Sequence, residues 1–160
     1  MSLAKSKVLV IGGAGFIGGF VVTELLKHDV KEVVIYDNLT RGKLDNIKTA
    51  LQDNRVNLFP FGGDIRETDV LDKAFEGVDY VFHLAAMWLL HCKDFPRTAF
   101  DVNIAGTFNV LEACVKHKVK KLVSLSTDKA SSPINLYGAT KLCADKLVSS
   151  SQNTKGKIDY

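Results

Sequence analysis

The chain has 160 residues, 46% of them hydrophobic, and a mild formal net charge of +3. A chain of this length buries one ordinary core, so a single domain is expected. No apolar run reaches the ~20 residues that span a bilayer, which argues against a membrane protein. The charge is too small for a nucleic-acid surface unless the cations cluster. The cluster at 116–121 falls where a helix should end, and the helix dipole favours cations there.

The cysteines and the N-terminus both favour a cytoplasmic protein. Cys92, Cys114 and Cys143 are odd in number, widely spaced and form no CxxC pair, so neither a disulfide framework nor a zinc site is expected. The four histidines have no metal-ligand residues beside them in the sequence, and no bound metal is expected. Residues 1–5 have none of the anatomy of a signal peptide and lead directly into a strand-like run.

Apolar runs of strand length alternate with longer helical stretches, a pattern typical of a parallel sheet covered by helices. The predicted strands are 7–11, 33–36, 56–59, 80–84 and 121–125. The predicted helices are 16–27, a short one at 44–51, 68–75 with a start near Asp64, a long one at about 96–117, and 136–150. Right-handed crossovers turn this series into an α/β fold, a Rossmann-type doubly wound parallel sheet in the order 3-2-1-4-5 with helices on both faces.

The first strand runs directly into a glycine-rich segment, GGAGFIG at residues 12–18. In this position Gly12 permits a tight turn, Gly15 lets phosphates approach the N–H groups of a helix N-terminus, and Gly18 allows close packing of helix on strand. A plain strand-to-helix turn does not explain Gly18 and Gly19, because each costs ~1 kcal/mol inside a helix. The segment therefore predicts binding of a pyrophosphate.

Acidic residues follow the second and third predicted strands. Asp37 is placed to accept both ribose hydroxyls of an adenosine, which favours NAD, although the pair Asp37-Asn38 alone is better explained as a turn. Arg41 and Lys43 could instead neutralise a 2'-phosphate, so NADP stays an alternative. Asp64 could reach an adenine amino group, and it is equally well explained as an N-cap or turn residue.

The fourth predicted strand ends in the segment HLAA at 83–86. Small side chains at this edge of the sheet would let a dinucleotide lie against the backbone. His83 itself is also explained as a packed, hydrogen-bonded histidine.

Tyr137 and Lys141 are four residues apart on a predicted helix, so their side chains share one face. An ammonium beside the phenol, with an oxidised nicotinamide nearby, would lower the tyrosine pKa from ~10 toward neutrality, so that Tyr137 could deprotonate a hydroxyl being oxidised. Ser126 or Thr127, at the end of the fifth strand, would hold that oxygen. A Tyr-x-x-x-Lys pair alone is common on surface helices, but the glycine segment and the hydroxyls favour catalysis.

Together these residues resemble the short-chain dehydrogenase/reductase superfamily, in its extended branch of nucleotide-sugar epimerases and dehydratases. The resemblance covers nearly the whole chain, including GGAGFIG at 12–18, GDI at 63–65, HLAA at 83–86 and GTFNVLEA at 106–113. It implies an NAD that stays bound, oxidises the sugar at C4 and gives its hydride back. The cofactor contacts it implies are Gly12, Gly15, Phe16, Ile17, Gly18, Asp37, Asn38, Arg41, Asp64, Ile65, Leu84, Ala85, Ala86, Asn103, Tyr137 and Lys141.

A finer resemblance is to the inverting UDP-N-acetylglucosamine 4,6-dehydratases, carried by STDKA at 126–130 and PINLYGATK at 133–141. By this resemblance Lys129 would be the base that removes the C5 proton, which a C4 ketone makes acidic, and Asp128 the acid that protonates the departing 6-hydroxyl. A lysine serves as base only when desolvation or a neighbouring cation lowers its pKa. Without the resemblance, the two residues would be an ordinary solvated turn pair.

Two segments depart from that subgroup. YDNLTRG at 36–42 looks more like NAD-using 4-epimerases, and MWLLHC at 87–92 is not the dehydratase pattern. A 4-epimerase is therefore the alternative enzyme, and it needs Tyr137, Lys141 and a hydroxyl but not the pair at 128–129. The alternative of another class is a dinucleotide-sensing domain without catalysis, which the intact hydroxyl, tyrosine and lysine set argues against.

Residues 152–157 have the composition of a linker, and members of the resembled family continue with another strand and a smaller substrate domain. We therefore expect residues 1–160 to be a cofactor-binding domain that carries the catalytic set, lacks most of the sugar site and turns over weakly or not at all alone. The resemblance also implies a UDP-linked sugar as substrate and a homodimer packed through the helices near 96–117 and 136–150.

Overall fold

The computed structural model describes residues 3–151. Five parallel strands form one sheet in the order β3-β2-β1-β4-β5, so the predicted topology is confirmed. The strands are β1 (Lys7–Ile11), β2 (Glu32–Tyr36), β3 (Val56–Leu58), β4 (Tyr80–His83) and β5 (Lys121–Ser124). No bound differs from its predicted position by more than one residue.

The central strand β1 buries both of its faces, and alternate residues supply two cores. Leu9 and Ile11 pack in one apolar cluster, whereas Val8 and Val10 pack in another with Val22 of the first helix. Successive side chains of a strand point to opposite faces, which produces this division. A parallel sheet covered on both faces has no polar side, and this explains the unbroken apolar run in the sequence.

The helices are α1 (Phe16–Leu25), α2 (Thr68–Ala74), α3 (Leu89–Asp94), α4 (Pro96–Phe100), α5 (Thr107–Lys116) and α6 (Leu136–Ser151). The backbone N–H of Gly138 donates to Asn135 Oδ1 at 2.9 Å, which caps α6. The predicted start of α2 near Asp64 is wrong, because the Asp64 side chain and carbonyl accept N–H groups in a separate turn at 64–67. The linker predicted at 152–157 lies outside the described residues.

The prediction of one long helix at 96–117 is wrong in the middle of that range. There a π-helical segment, Asp101–Gly106, separates α4 from α5. Within it, the buried Asn103 accepts a hydrogen bond from Met87 N at 2.7 Å, and its carbonyl accepts one from Thr107 Oγ1 at 2.9 Å. π-helical segments are frequent at functional sites. The widened turn carries the Asn103 side chain to the loop that follows β4.

The short helix α3 was not predicted, and the helix predicted at 44–51 is two 3₁₀ turns, Leu44–Asn46 and Ala50–Gln52. Ile47 lies between these turns with φ −120° and ψ 2°, outside the helical region. Asn46 Nδ2 donates to Ala14 O at 2.8 Å, which ties this segment to the glycine-rich loop after β1.

The carboxyl ends of the five parallel strands lie along one edge of the sheet, and the loops that follow them gather there. Among residues 3–151, no helix is both long enough and apolar enough to cross a membrane.

Candidate active site

A cavity of about 610 Å³ lies at the carboxyl edge of the sheet, which is within the range of small-molecule and cofactor sites. It brings together most of the predicted site residues. Those that line it are Gly12, Gly15, Phe16, Ile17, Gly18, Asp37, Asn38, Arg41, Asp64, Ile65, Leu84, Ala85, Ala86, Ser126, Tyr137 and Lys141. Four other predicted site residues, Asn103, Thr127, Asp128 and Lys129, do not line it.

The glycine-rich loop forms the floor of the cavity between β1 and α1. Gly12 has φ +80°, a conformation that other residues rarely adopt. A Cβ at Gly18 would lie 2.7 Å from the Gly13 Cα and closer still to the Gly12 carbonyl oxygen. Only glycine therefore lets α1 start this close to the strand. The first N–H groups of a helix have no intrahelical partner, so this N-terminus suits an anion.

Asp37, at the end of β2, holds the glycine-rich loop. Its Oδ2 accepts from Ala14 N at 2.9 Å, and its Oδ1 accepts from Leu39 N at 2.8 Å. Each carboxylate oxygen can accept a second hydrogen bond, so both remain able to bind ribose hydroxyls. Asp37 is thus a turn residue and a cavity residue at once.

Asp64, after β3, is held by Arg66. The Arg66 guanidinium lies 2.5 Å from Asp64 Oδ2, and both side chains line the cavity. The hydrogen bonds from Arg66 lower the pKa of the Asp64 carboxyl, which keeps it ionised. Arg66 was not singled out from the sequence, although its position two residues after Asp64 is the signal that could have found it.

His83, at the end of β4, is 2% exposed and belongs to a polar network beneath the cavity. Because the Thr107 hydroxyl donates to the Asn103 carbonyl, His83 Nε2 must donate to Thr107 Oγ1, at 3.1 Å. The other ring nitrogen, Nδ1, is buried without a partner among the described residues. Burial, followed by the charge of Lys141, lowers the pKa of His83 to about 3, so the ring is neutral.

Asn103 shapes the cavity from below. Its Nδ2 donates to Met87 O at 3.1 Å and to Thr140 Oγ1 at 3.0 Å, and its Oδ1 accepts from Met87 N. Asn103 is 1% exposed, while Met87 lines the cavity. The amide therefore fixes the loop after β4 against α6.

The Tyr-Lys pair lies at the other end of the cavity, on α6. Lys141 is buried, and its Nζ donates to Leu125 O at 2.8 Å. Burial lowers the pKa of the Lys141 ammonium, and the carboxylate of Asp145 opposes that shift. The Ser126 hydroxyl donates to Asp145 Oδ2. Asp145 was not predicted, although it lies one turn after Lys141 on the same helix face.

The predicted acid and base, Asp128 and Lys129, lie in a 3₁₀ turn, Asp128–Ala130, after β5. Lys129 Nζ lies 2.7 Å from Asp128 Oδ2, and the side chains are 48% and 81% exposed, respectively. The hydrogen bonds from Lys129 and then from the Thr127 hydroxyl lower the pKa of the Asp128 carboxyl. In this arrangement the two charges neutralise each other in solvent.

The loop after β4 contributes two aromatic residues to the cavity, Trp88 and His91. Both belong to the segment 87–92, which the sequence marked only as unlike the dehydratase pattern. The guanidinium of Arg41 lies 4.4 Å from the centre of the Trp88 ring. The His91 ring makes an edge contact with Trp88 at 5.4 Å between centroids. All three residues line the cavity.

The described residues include no cluster of three or more His, Cys, Asp or Glu that could hold a metal ion. The three cysteines are unpaired, and Cys92 and Cys114 are buried. Burial raises the pKa of the Cys114 thiol to about 12, which makes it unreactive.

The sequence profile of the family described as "Polysaccharide biosynthesis protein" matches residues 8–160. The chain is 38% identical to the UDP-N-acetylglucosamine 4,6-dehydratase (inverting) of Campylobacter jejuni over 154 residues, 95% of this chain and 45% of that protein. It is 37% identical to the UDP-glucose 4-epimerase of Rickettsia prowazekii over 145 residues, 88% of this chain and 42% of that protein.

A solved structure, DesIV (dTDP-glucose 4,6-dehydratase) from Streptomyces venezuelae with NAD and TYD bound, superposes with a TM-score of 0.86 at 30% identity. The match covers 94% of this chain and 53% of that one. The chain thus spans less than half the length of the two curated relatives named above. On the profile match and the shared Rossmann-type fold, the chain belongs to the polysaccharide biosynthesis protein family, within the nucleotide-sugar epimerases and dehydratases of the extended short-chain dehydrogenase/reductase branch.

Proposed function

We propose that this chain binds NAD and supplies the redox half of a nucleotide-sugar 4,6-dehydratase that acts on a UDP-linked sugar. One observation carries the proposal: a single cavity holds the glycine-rich loop and Asp37 at one end and Ser126, Tyr137 and Lys141 at the other. The relatives named as a UDP-sugar dehydratase, a UDP-sugar epimerase and a dTDP-sugar dehydratase support it.

The residues that line the cavity fit a dinucleotide. The loop at 12–18 would take the pyrophosphate on the N-terminus of α1, and Asp37 would accept the adenosine ribose hydroxyls. The small side chains of Ala85 and Ala86 would let the cofactor lie against the backbone just after β4. NAD is favoured over NADP because the Asp37 carboxylate, held by two backbone N–H groups, repels a 2'-phosphate. When bound, NAD would supply the acceptor for oxidation of the sugar at C4.

Tyr137 is the proposed base for the sugar 4-hydroxyl. The buried ammonium of Lys141, on the same face of α6, stabilises the phenolate that accepts this proton. Ser126, two residues after β5, would give up its hydrogen bond to Asp145 and donate one to the same sugar oxygen. Proton removal by a positioned side chain is typically worth about 10²–10⁴ in rate.

Lys129 and Asp128 are proposed for the dehydration that follows. With C4 as a ketone, Lys129 would take the C5 proton as the C5–H bond breaks, and Asp128 would protonate the departing 6-oxygen, which leaves as water. An acid must carry a proton, whereas the bond to Lys129 lowers the Asp128 pKa. We therefore propose that substrate separates this ion pair after a proton has passed from the Lys129 ammonium to the Asp128 carboxylate, which leaves Lys129 as a neutral amine able to take the C5 proton and Asp128 as the acid.

A UDP-sugar 4-epimerase is the second candidate function, and the arrangement of Asp128 and Lys129 favours it. The two side chains neutralise each other, are largely exposed and lie outside the cavity lining. An epimerase needs Tyr137, Lys141 and a hydroxyl, and it leaves a turn like 128–130 without a catalytic role.

The experiment that tests the proposal has two parts. NAD and NADP are titrated into the 160-residue chain, with tighter binding of NAD expected. The whole protein that contains this chain is then incubated with a panel of UDP-sugars, and the expected product has lost water. Replacing Asp128 by Asn in the whole protein should abolish that product. An unchanged rate with Asp128→Asn, or a product epimeric at C4, would instead establish the epimerase.

We propose a homodimer as the working assembly, formed through α5 and α6. Phe108 and Val115 on α5 are 46% and 42% exposed, and they border a groove of about 890 Å³ that reaches Leu147 on α6. Sedimentation velocity of the whole protein at several concentrations checks this proposal.

The cytoplasm is the proposed compartment, because unpaired cysteines are typical of a reducing environment.

A further inference from the structure

Arg41 and Trp88 connect two loops across the middle of the cavity. Arg41 follows β2 and Trp88 follows β4, and these strands pair with opposite sides of β1. Their contact, 4.4 Å from the guanidinium carbon to the ring centre, therefore spans the carboxyl end of β1. The glycine-rich loop that would take the pyrophosphate starts at this same end, at Gly12.

Both side chains have bonding capacity that the described residues do not use. Among residues 3–151, no carboxylate forms an ion pair with Arg41. The indole Nε1–H of Trp88 is buried without a hydrogen-bond partner in the same part of the chain. A buried donor without a partner costs about 1–3 kcal/mol, so a ligand oxygen that reached this N–H would be stabilised.

The backbone of each loop is ordered next to these side chains. On one side, Leu39 N donates to Asp37 Oδ1, and Thr40 N donates to Asn38 Oδ1, which fixes the turn that carries Arg41. On the other side, Trp88 directly precedes α3.

We propose that Arg41 and Trp88 form a clasp over the pyrophosphate of the bound dinucleotide and slow its release. The inference rests on the proposed function. A guanidinium can stack its face on an indole while the N–H groups at its edge donate in plane to phosphate oxygens. Neither residue alone can close the cavity in this way, because the loops stand on opposite sides of β1. A nucleotide-sugar enzyme that reuses one cofactor molecule in each cycle requires slow release.

The test measures how fast NADH leaves the 160-residue chain, by stopped-flow mixing with excess NAD and detection of NADH emission. Arg41→Ala and Trp88→Ala should each speed release roughly tenfold, and the double variant should be little faster than either alone, because the pair acts as a unit. Arg41→Lys keeps the charge without the planar edge, and it should speed release by more than threefold. Lys48→Ala removes one exposed positive charge elsewhere and should leave the rate unchanged.

The proposal is overturned if Trp88→Ala leaves the rate unchanged while Arg41→Ala raises it, since the arginine would then act without the ring. The proposal would also be overturned if the accelerations of the two single variants multiplied in the double variant. It would be overturned too if Lys48→Ala sped NADH release as much as Arg41→Ala does. Trp88 is the one tryptophan of the sequence, so its emission should fall when NAD binds to the unaltered chain. Absence of NAD binding to that chain would instead overturn the proposed function, and the clasp with it.

Discussion

The two ends of the cavity differ in how their side chains are held before a ligand binds. At the glycine-loop end, Asp37 is fixed by the backbone N–H groups of Ala14 and Leu39, and Asn46 ties a third segment to the same loop. At the α6 end, Lys141 and Ser126 have partners, but Asp128 and Lys129 bond to each other in solvent. Backbone hydrogen bonds hold the first end, whereas side chains that must exchange partners make up much of the second.

This difference indicates that the glycine-loop end is ready to bind the cofactor, whereas the α6 end must rearrange before it can act as acid and base. A pyrophosphate site made of backbone N–H groups needs no rearrangement to bind its ligand, so it can be complete within a Rossmann-type domain. An acid and a base that neutralise each other must be separated before they act, and substrate or further protein has to supply the interactions that separate them. We therefore expect changes at the glycine-loop end to affect binding and stability, and changes at the α6 end to affect turnover.

Tyr137→Phe should have the largest effect at the α6 end. In the whole protein we expect turnover of a UDP-sugar to fall by about 10²–10⁴, because the base for the 4-hydroxyl is lost. NAD affinity should change by less than about threefold, since the glycine-rich loop and Asp37 are untouched. Steady-state rates and a NAD titration of the same preparation measure both effects. Full turnover with Phe at this position would exclude Tyr137 as the base for the 4-hydroxyl.

Gly18→Ala should have the largest effect on stability at the glycine-loop end. The new Cβ would meet the backbone of Gly12 and Gly13 at less than normal contact distance, so we expect a loss of about 3 kcal/mol and of NAD binding. Gly77→Ala is the matched control: its φ is +69° with no atom within 4 Å of the new Cβ, so about 1 kcal/mol is expected. Urea unfolding compares the two variants. Equal losses would show that the close packing of α1 on β1 is unimportant.

The sequence predicted the sheet, its strand order and most of the cavity lining, because these depend on local patterns. An apolar run of strand length and a glycine-rich turn are readable without knowledge of distant contacts. The π-helical segment was not predictable in this way, since it depends on Asn103 meeting Met87 in space. The two 3₁₀ turns that stand in place of a predicted helix also carry a contact distant in sequence, the bond from Asn46 to the glycine-rich loop.

The same distinction applies within the site. Arg66 and Asp145 hold predicted residues, and each lies close in sequence or on one helix face with a residue already singled out. Trp88 and Arg41 are 47 positions apart in the sequence, and only the pairing of β2 and β4 with β1 brings them together. Contacts of that kind require the fold before they can be recognised.

The buried His83, beneath the cavity, makes the free energy of unfolding depend on pH. Burial holds its pKa near 3, against an ordinary value of 6.5, so the unfolded chain binds a proton there that the folded chain does not. Stability from this residue is complete above pH 6.5 and is lost as pH falls toward 3, with a slope of roughly 1.4 kcal/mol per pH unit. Urea unfolding at pH 7, 6 and 5 measures that slope. His83→Gln removes the titrating ring, so a variant that keeps the slope would exclude His83 as its source.

Breaking the Asp128–Lys129 pair should have the smallest effect on stability. Both charges are solvated, and exposed ion pairs contribute little to folding. We therefore expect Asp128→Asn and Lys129→Met to melt within error of the unaltered chain, in low and in high salt. Arg66→Met is the matched comparison, because its partner Asp64 is only 16% exposed and should be destabilised by the loss. A clear loss of stability on breaking the 128–129 pair would mean that the turn is structural. That outcome would argue against assigning these two residues to dehydration, because a pair needed to hold the fold is not free to separate around a substrate.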